Sequence, residues 1–338
     1  MKARVIRPLL PIIVLICVSL AAYAQDRRGV VSTGLRTGQA IIHENVDIAH
    51  RDTFYGPGGR ELMPDLSSVS FIEKETSGYN KKYHIRDGSG RIWVAKYGRE
   101  AKPETAAVRL LWALGYPTEI NYWVPELIIP GVKRLKNVRL EARPEVVKRG
   151  DSWDWKRNPF LGTDQLAGLK IMMVLFNNWD IASRQNKIIE DKSTGRRYYI
   201  ISDLGATFGK LPNNSLPIFW RIGRSIGKPN AYARGSLVRN NRNGQLELSF
   251  KGKNYSVFKD ISVAQGRWLA DRLLRLRDSQ IRDAFRAADY SPAEIDILTG
   301  AVKTRIRELD VATSARDRIA DTLPRKPSRT RQARSRRH

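Results

Sequence analysis

Asn177–Gly205 reads NNWDIASRQNKIIEDKSTGRRYYIISDLG. A helix is expected just before it, over Thr163–Phe176. An acidic residue, Asp180, comes next on a polar turn, and an amide, Asn186, stands six positions later. Two short strands, Lys187–Glu190 and Tyr198–Ser202, are expected around a turn at Lys192–Arg196. The second is rich in β-branched and aromatic residues, which suit a pleated, buried position, and it ends at Asp203-Leu204-Gly205. A carboxylate at the mouth of a buried strand is costly unless something pairs with it, and a metal ion is one such partner.

Upstream, Val69–Glu75, Lys81–Arg86 and Arg91–Tyr97 pattern as three antiparallel strands, with Asp87-Gly88-Ser89-Gly90 a hairpin turn between the last two. In the third strand Ile92, Val94 and Lys96 share one face, because side chains alternate with a period of two. Pro103 suits a first helical turn, Glu104 is next to it, and Ala107, Leu110, Leu111 and Leu114 form an apolar stripe that ends at Gly115. Glu104 lies one short loop beyond Lys96, with Glu100 in that loop as a competing partner. Glu119–Ile129 and Arg134–Glu141 complete this sheet as further strands, and Arg143–Pro159 crosses from it into the larger, later part of the chain. A lysine at a strand end ordinarily snorkels to solvent; the nearby helix glutamate argues instead for a buried pair.

The order helix, Asp, Asn, hairpin, Asp-Leu-Gly resembles the catalytic half of a protein-kinase-like fold of the atypical branch. The runs YGPGG, WVAKYGREAKPETAAVRLLWALGY, NPFLGTDQLAGL, NNWDIASRQN and SDLGATFG, spanning roughly Asp52 to Gly209, resemble an uncharacterised family of secreted bacterial proteins. That family is distantly similar to atypical kinases of toxin-kinase and secretory-pathway-kinase type. The resemblance implies a two-lobed α+β fold, with a small antiparallel-sheet lobe and a larger, mainly helical one. It also implies roles: Lys96 and Glu104 position ATP, Asn186 and Asp203 hold magnesium or manganese, and Asp180 is the base or orienter of the attacking hydroxyl.

Three departures accompany it. The only candidate cover for phosphates, Thr76-Ser77-Gly78-Tyr79-Asn80, has one glycine, which ordinarily marks only a turn. Kinases place the Asn five residues after the Asp, a position that Gln185 occupies here. The secreted family has a Lys and a second Asp where this chain has Ala182 and Ser183. These departures sustain an alternative: a catalytically inactive kinase-like domain that binds an envelope polyanion or a protein partner.

Composition bounds the rest. The chain has 338 residues, long enough for a sizeable core. Lys2, Arg4 and Arg7 ahead of an apolar Leu9–Leu20 and Ala22-Tyr23-Ala24 read as a signal peptide over 1–24, and hence as export to the periplasm or beyond. Cys17, inside that segment, is the only cysteine, so cysteine proteases, disulfide scaffolds and thiolate metal sites are excluded. The formal charge is +26; setting aside the three basic residues of the signal and the seven in Arg325–His338 leaves +16. The basic tail is expected to be disordered and suits contact with an anionic envelope polymer or membrane surface, and no nucleic-acid motif accompanies it. The expected organisation is therefore a signal over 1–24, an extended segment over 25–68, a β-rich nucleotide lobe over 69–142, a helical lobe over 143–310 and a tail over 311–338.

Within the helical lobe, Leu216–Ile226 is apolar, Gln245–Phe250 and Asn254–Phe258 are expected to form a hairpin, and helices are expected over Val263–Arg277, Ser279–Ala288 and Pro292–Leu309. Gly223-Arg224-Ser225-Ile226-Gly227 matches the G-x-S-x-G pattern of serine hydrolases. That mechanism needs a histidine after the serine, and only His338 occurs beyond it, so the match is set aside.

Overall fold

The computed structural model describes residues 38–76, 82–211, 223–250 and 254–314. The expected signal segment with Cys17, most of the candidate phosphate cover, the first part of the Leu216–Ile226 run and the basic end of the tail lie outside them. The strands are β1 (Ala40–Ile41), β2 (Ser70–Glu75), β3 (Lys82–Arg86), β4 (Ile92–Tyr97), β5 (Asn121–Ile129), β6 (Lys133–Ala142), β7 (Val147–Arg149), β8 (Asn186–Asp191), β9 (Arg197–Ile201), β10 (Val238–Arg242) and β11 (Gln245–Leu248). The helices are α1 (Ala101–Ala113), α2 (Asp164–Leu175), α3 (Pro229–Ala233), α4 (Val263–Leu273), α5 (Asp278–Arg286) and α6 (Pro292–Thr313). Among these helices none is long and apolar enough to cross a membrane.

Strands β2 to β6 form one antiparallel sheet in the order β2-β3-β4-β6-β5, and α1 joins the central strand β4 to the edge strand β5. The β3–β4 turn is held as its sequence demands. Asp87 accepts from the Ser89 and Arg91 amides and from the Trp93 indole, and Gly90 takes φ +85°. This sheet has its own core, in which Ile85, Trp93, Val138 and Leu140 are wholly buried.

The larger core belongs to the helices. Helix α2 starts with Thr163, whose side chain accepts from the Leu166 amide, and is apolar on almost every side, as a helix buried all round must be. Gly168 lets it press against Tyr116 and Trp268, where a Cβ would stand 2.4 Å and 2.7 Å from their side chains. Helices α4 and α6 begin with complete capping boxes, Ser262 with Gln265 and Ser291 with Glu294. The buried face of α1 (Ala106, Ala107, Leu110, Leu111) joins this larger core, so the helix next to Lys96 is anchored in the helical lobe.

The architecture is the two-lobed α+β arrangement expected, and two local readings need correction. Ahead of the small lobe, β1 pairs in parallel with β9, Ile48–His50 is a 3-10 turn, and Ile41, Ile42 and Ile48 are buried. The expected hairpin of Gln245–Phe250 with Asn254–Phe258 does not form. The partner of β11 is β10, while Tyr255–Phe258 is a single 3-10 turn, because Asn243-Gly244, both at positive φ, supply the tighter turn. Helix α6 runs past Leu309 to Thr313, whose hydroxyl bonds back to the Leu309 carbonyl.

Candidate functional site

The β4–β6 register sets Lys96 opposite Arg139 and Val94 opposite Glu141, which places Lys96, Arg139 and Glu141 on one face of the sheet. That face meets Glu104 of α1. Lys96 Nζ lies 3.2 Å from Glu141 Oε2, while Arg139 reaches Glu104 Oε1 at 3.0 Å and Glu141 Oε2 at 2.8 Å. Lys96 and Glu104 thus share a cluster without forming the direct pair that their spacing suggested. Arg143 also ion-pairs with Glu141, and Arg149 of β7 pairs with Glu119, just before β5. Ser202 stitches the lobes: it accepts from Arg149 at 2.9 Å and donates to Glu119 Oε1 at 3.0 Å. The next residue is Asp203.

Burial sets the electrostatics here. It pushes the Glu104 carboxyl up to about 8 against the pull of Arg139 and Lys96, with the charges of Asp203 and Glu141 adding to the rise. Burial and the neighbouring Glu141 also raise Glu119. It opposes ionisation of Glu141 as well, but Arg143, Lys96 and Arg139 overcome it and hold that carboxyl well below the ordinary range. For Lys96, burial and Arg139 favour the neutral amine, yet Glu141, Glu104 and Glu119 carry its pKa above the usual lysine value. Asp203 bears on the charge state of both Glu104 and Arg139, so the strand-end aspartate belongs to the same electrostatic centre.

On the other lobe, Trp155 and Asp154 hold the Asp180 loop. Trp155 donates to the Ile181 carbonyl at 3.0 Å, and Asp154 accepts from Ser183 Oγ at 2.7 Å. The Asp180 amide donates to Asn178 Oδ1. Its carboxylate accepts from Gln185 Nε2 at 2.9 Å and lies 3.8 Å from the Arg184 guanidinium. Asn186 opens β8 opposite Ile201, and the Ser202 amide donates to the Gln185 carbonyl, so Asn186 and Asp203 emerge at the same end of the hairpin. Asp203 Oδ1 accepts the Gly205 amide at 3.1 Å. Gly205 must lack a side chain, since a Cβ would stand 2.8 Å from that of Glu100, at the start of α1.

The residues present fit a hard cation. Asn186 donates to the Trp153 carbonyl, but its Oδ1 is buried without a hydrogen-bond partner, an acceptor that a metal ion would satisfy. Asn186 and Asp203 would supply two oxygens to such an ion. Magnesium keeps several waters and takes phosphate oxygens beside one or two protein ligands, so such a pair suffices. Among the described residues no cluster of three or more His, Cys, Asp or Glu forms a site of its own.

Sequence motifs single out Lys96, Glu104, Asp180, Asn186 and Asp203 but pass over Arg139, Glu141, Arg149, Glu119 and Ser202. One signal was present: Arg139 and Glu141 alternate with the apolar Val138 and Leu140, a charged face within a buried strand.

Among the solved structures that resemble this chain are two kinases. The Helicobacter pylori proinflammatory kinase CtkA is 12% identical, with a TM-score of 0.45 over 75% of this chain and 98% of its own. The golgi casein kinase is 9% identical, with a TM-score of 0.39 over 88% of this chain and 90% of its own. No protein-family model and no curated protein sequence matches.

Proposed function

We propose that this chain is a kinase-like phosphotransferase that takes ATP with magnesium or manganese in the cleft between its lobes. The observation that carries the reading is the buried, unpartnered Oδ1 of Asn186 at the hairpin end that it shares with Asp203. In this reading Lys96 holds the α- and β-phosphates, and Arg139 holds Glu104 in place to steady it. Asn186 and Asp203 hold the metal, which when bound supplies charge neutralisation on the phosphates. Asp180 orients the acceptor hydroxyl and takes its proton once Gln185 releases the carboxylate.

A second reading rests on a specific contact. Lys96 is engaged by Glu141, and Asp180 by Gln185, so both functional groups are occupied by the protein itself. That arrangement favours an inactive kinase-like binding domain, or a resting form that nucleotide must open. Equilibrium titration of the full chain with ATP, with and without magnesium or manganese, separates the readings. Metal-dependent binding that Lys96→Ala and Asp203→Asn each weaken at least about tenfold, or about 1.4 kcal/mol, supports the nucleotide site. Equal binding by wild type and both variants, or none by a cooperatively folded wild type, sinks it.

A further inference from the structure

A second concavity, of about 420 Å³, lies beside this site and belongs to neither the nucleotide nor the metal reading. Residues 224–228 run beside 207–210, the continuation of Asp203-Leu204-Gly205. The Ser225 amide donates to the Lys210 carbonyl, the Gly227 amide to that of Thr207 and the Lys228 amide to that of Phe208. The Gly-x-Ser-x-Gly run dismissed as a hydrolase motif is therefore one wall of a groove, and the Ser225 hydroxyl accepts from the Lys210 amide at 2.8 Å. The loop before α1 supplies the facing wall.

Among the described residues four cations line it: Arg99, Lys102, Arg224 and Lys228. Arg224 stacks 4.0 Å over Trp179, the neighbour of Asp180, so the groove abuts the Asp180 loop. Lys102 is paired with Asp289 at 3.1 Å. Arg99 and Lys228 are exposed and form no ion pair with a described residue. Among the described residues of the lining the one acidic side chain is Glu294, committed to the α6 cap, where it accepts from the Ser291 amide and hydroxyl. At the floor, Gly227 takes φ +53° and a Cβ there would meet Pro103 and the Tyr290 hydroxyl, each at 3.3 Å. Tyr290 is 6% exposed, and its hydroxyl has no hydrogen-bond partner among the described residues. Burial raises its pKa far above the phenol range, so it stays a donor at every physiological pH.

Cations on both walls, a committed acid and an unpartnered donor beside a glycine are what an oxyanion requires. We infer that this groove binds a phosphate-type oxyanion, held by Arg99, Lys102, Arg224 and Lys228 with the Tyr290 hydroxyl beneath it. The inference stands on packing and charge alone and does not depend on phosphotransfer in the neighbouring cleft.

The test is calorimetric titration of the full chain, without nucleotide or divalent metal and at constant ionic strength, with inorganic phosphate and, separately, O-phosphoserine. Three variants accompany it. Arg99→Gln/Lys228→Gln removes two charges from the groove, Arg239→Gln/Arg307→Gln removes two from a different concavity, and Tyr290→Phe removes the donor. Saturable binding is expected, weakened about tenfold or more by the groove pair, several-fold by Tyr290→Phe, and unchanged by the control pair. Tighter binding of phosphoserine than of phosphate assigns the group to a larger phosphomonoester, and equal binding assigns it to the free anion. Equal weakening by both double variants overturns the proposal in favour of the chain's general positive charge, as does the absence of saturable binding by wild type.

Discussion

At the scale of single residues, the consequential side chain is Glu141. It is wholly buried and receives Lys96, Arg139, Arg143 and Arg149, so its loss leaves a concentration of buried positive charge. Breaking a buried pair by removing one partner costs far more than the pair itself contributes, because the remaining charge is stranded in low dielectric. Glu141→Gln should therefore destabilise the protein by about 3–5 kcal/mol in urea denaturation. Glu75→Gln, whose partner Lys82 is 27% exposed, should cost no more than about 1 kcal/mol. A similar cost for both would mean that water reaches the cluster. The five candidate residues proposed from sequence stand out because each sits at a motif boundary: a strand end, a first helical turn, a loop apex, a hairpin start. Glu141 sits in mid-strand, where only the neighbour across the sheet reveals what its charge is for.

At the scale of elements, the segment after Asp203 is held by close backbone approach. Gly209 lies so near residues 225 and 226 that a Cβ would stand 2.0 Å from the Ser225 carbonyl oxygen, and backbone cannot move aside as a flexible side chain can. Gly209→Ala should push 224–228 away from 207–210 at a cost of about 1–3 kcal/mol in denaturant unfolding. Anion binding in the groove should fall with it; a variant as stable as wild type would show that the wall is free to shift. Elements with strong local signals were legible in the sequence, among them α2 with its Thr163 cap, the β3–β4 hairpin and α6 with its Ser291-Pro292 start. Strand β10 was not, because Val238–Arg242 is polar on both faces (VRNNR) and carries no alternation to read. The three-residue β7 is equally silent in sequence, although Arg149 on it links β5 to Ser202.

At the scale of the whole molecule, the segment ahead of the small lobe is anchored to the helical lobe. Thr53 donates to the Gln280 carbonyl, and Gln280 in turn donates to those of Ile48 and Arg51. His43 packs between Tyr116 and Trp268 with Nε2 2.9 Å from the Leu114 carbonyl oxygen. Burial lowers its pKa from 6.5 to about 4, with Arg272 and Arg51 adding repulsion. The folded protein thus holds this ring neutral where the unfolded chain would protonate it. Its stabilising contribution is complete above about pH 6.5 and is lost as the pH falls towards about 4. Glu104, raised by burial, acts with the opposite sign, losing stability as the pH rises from about 4.5 towards about 8. The comparison that isolates His43 is therefore wild type against His43→Gln. Guanidinium denaturation at pH 7 and pH 5 should show a larger acid-induced loss in wild type, and parallel profiles would refute it. By itself the sequence determined the α+β class and the elements with strong local signals, because periodicity, caps and turn chemistry act over a few neighbours. Only the tertiary structure decided which charges meet, that Lys96 rests on Glu141 and that a discarded serine motif walls a basic groove, because those contacts join residues distant in the chain.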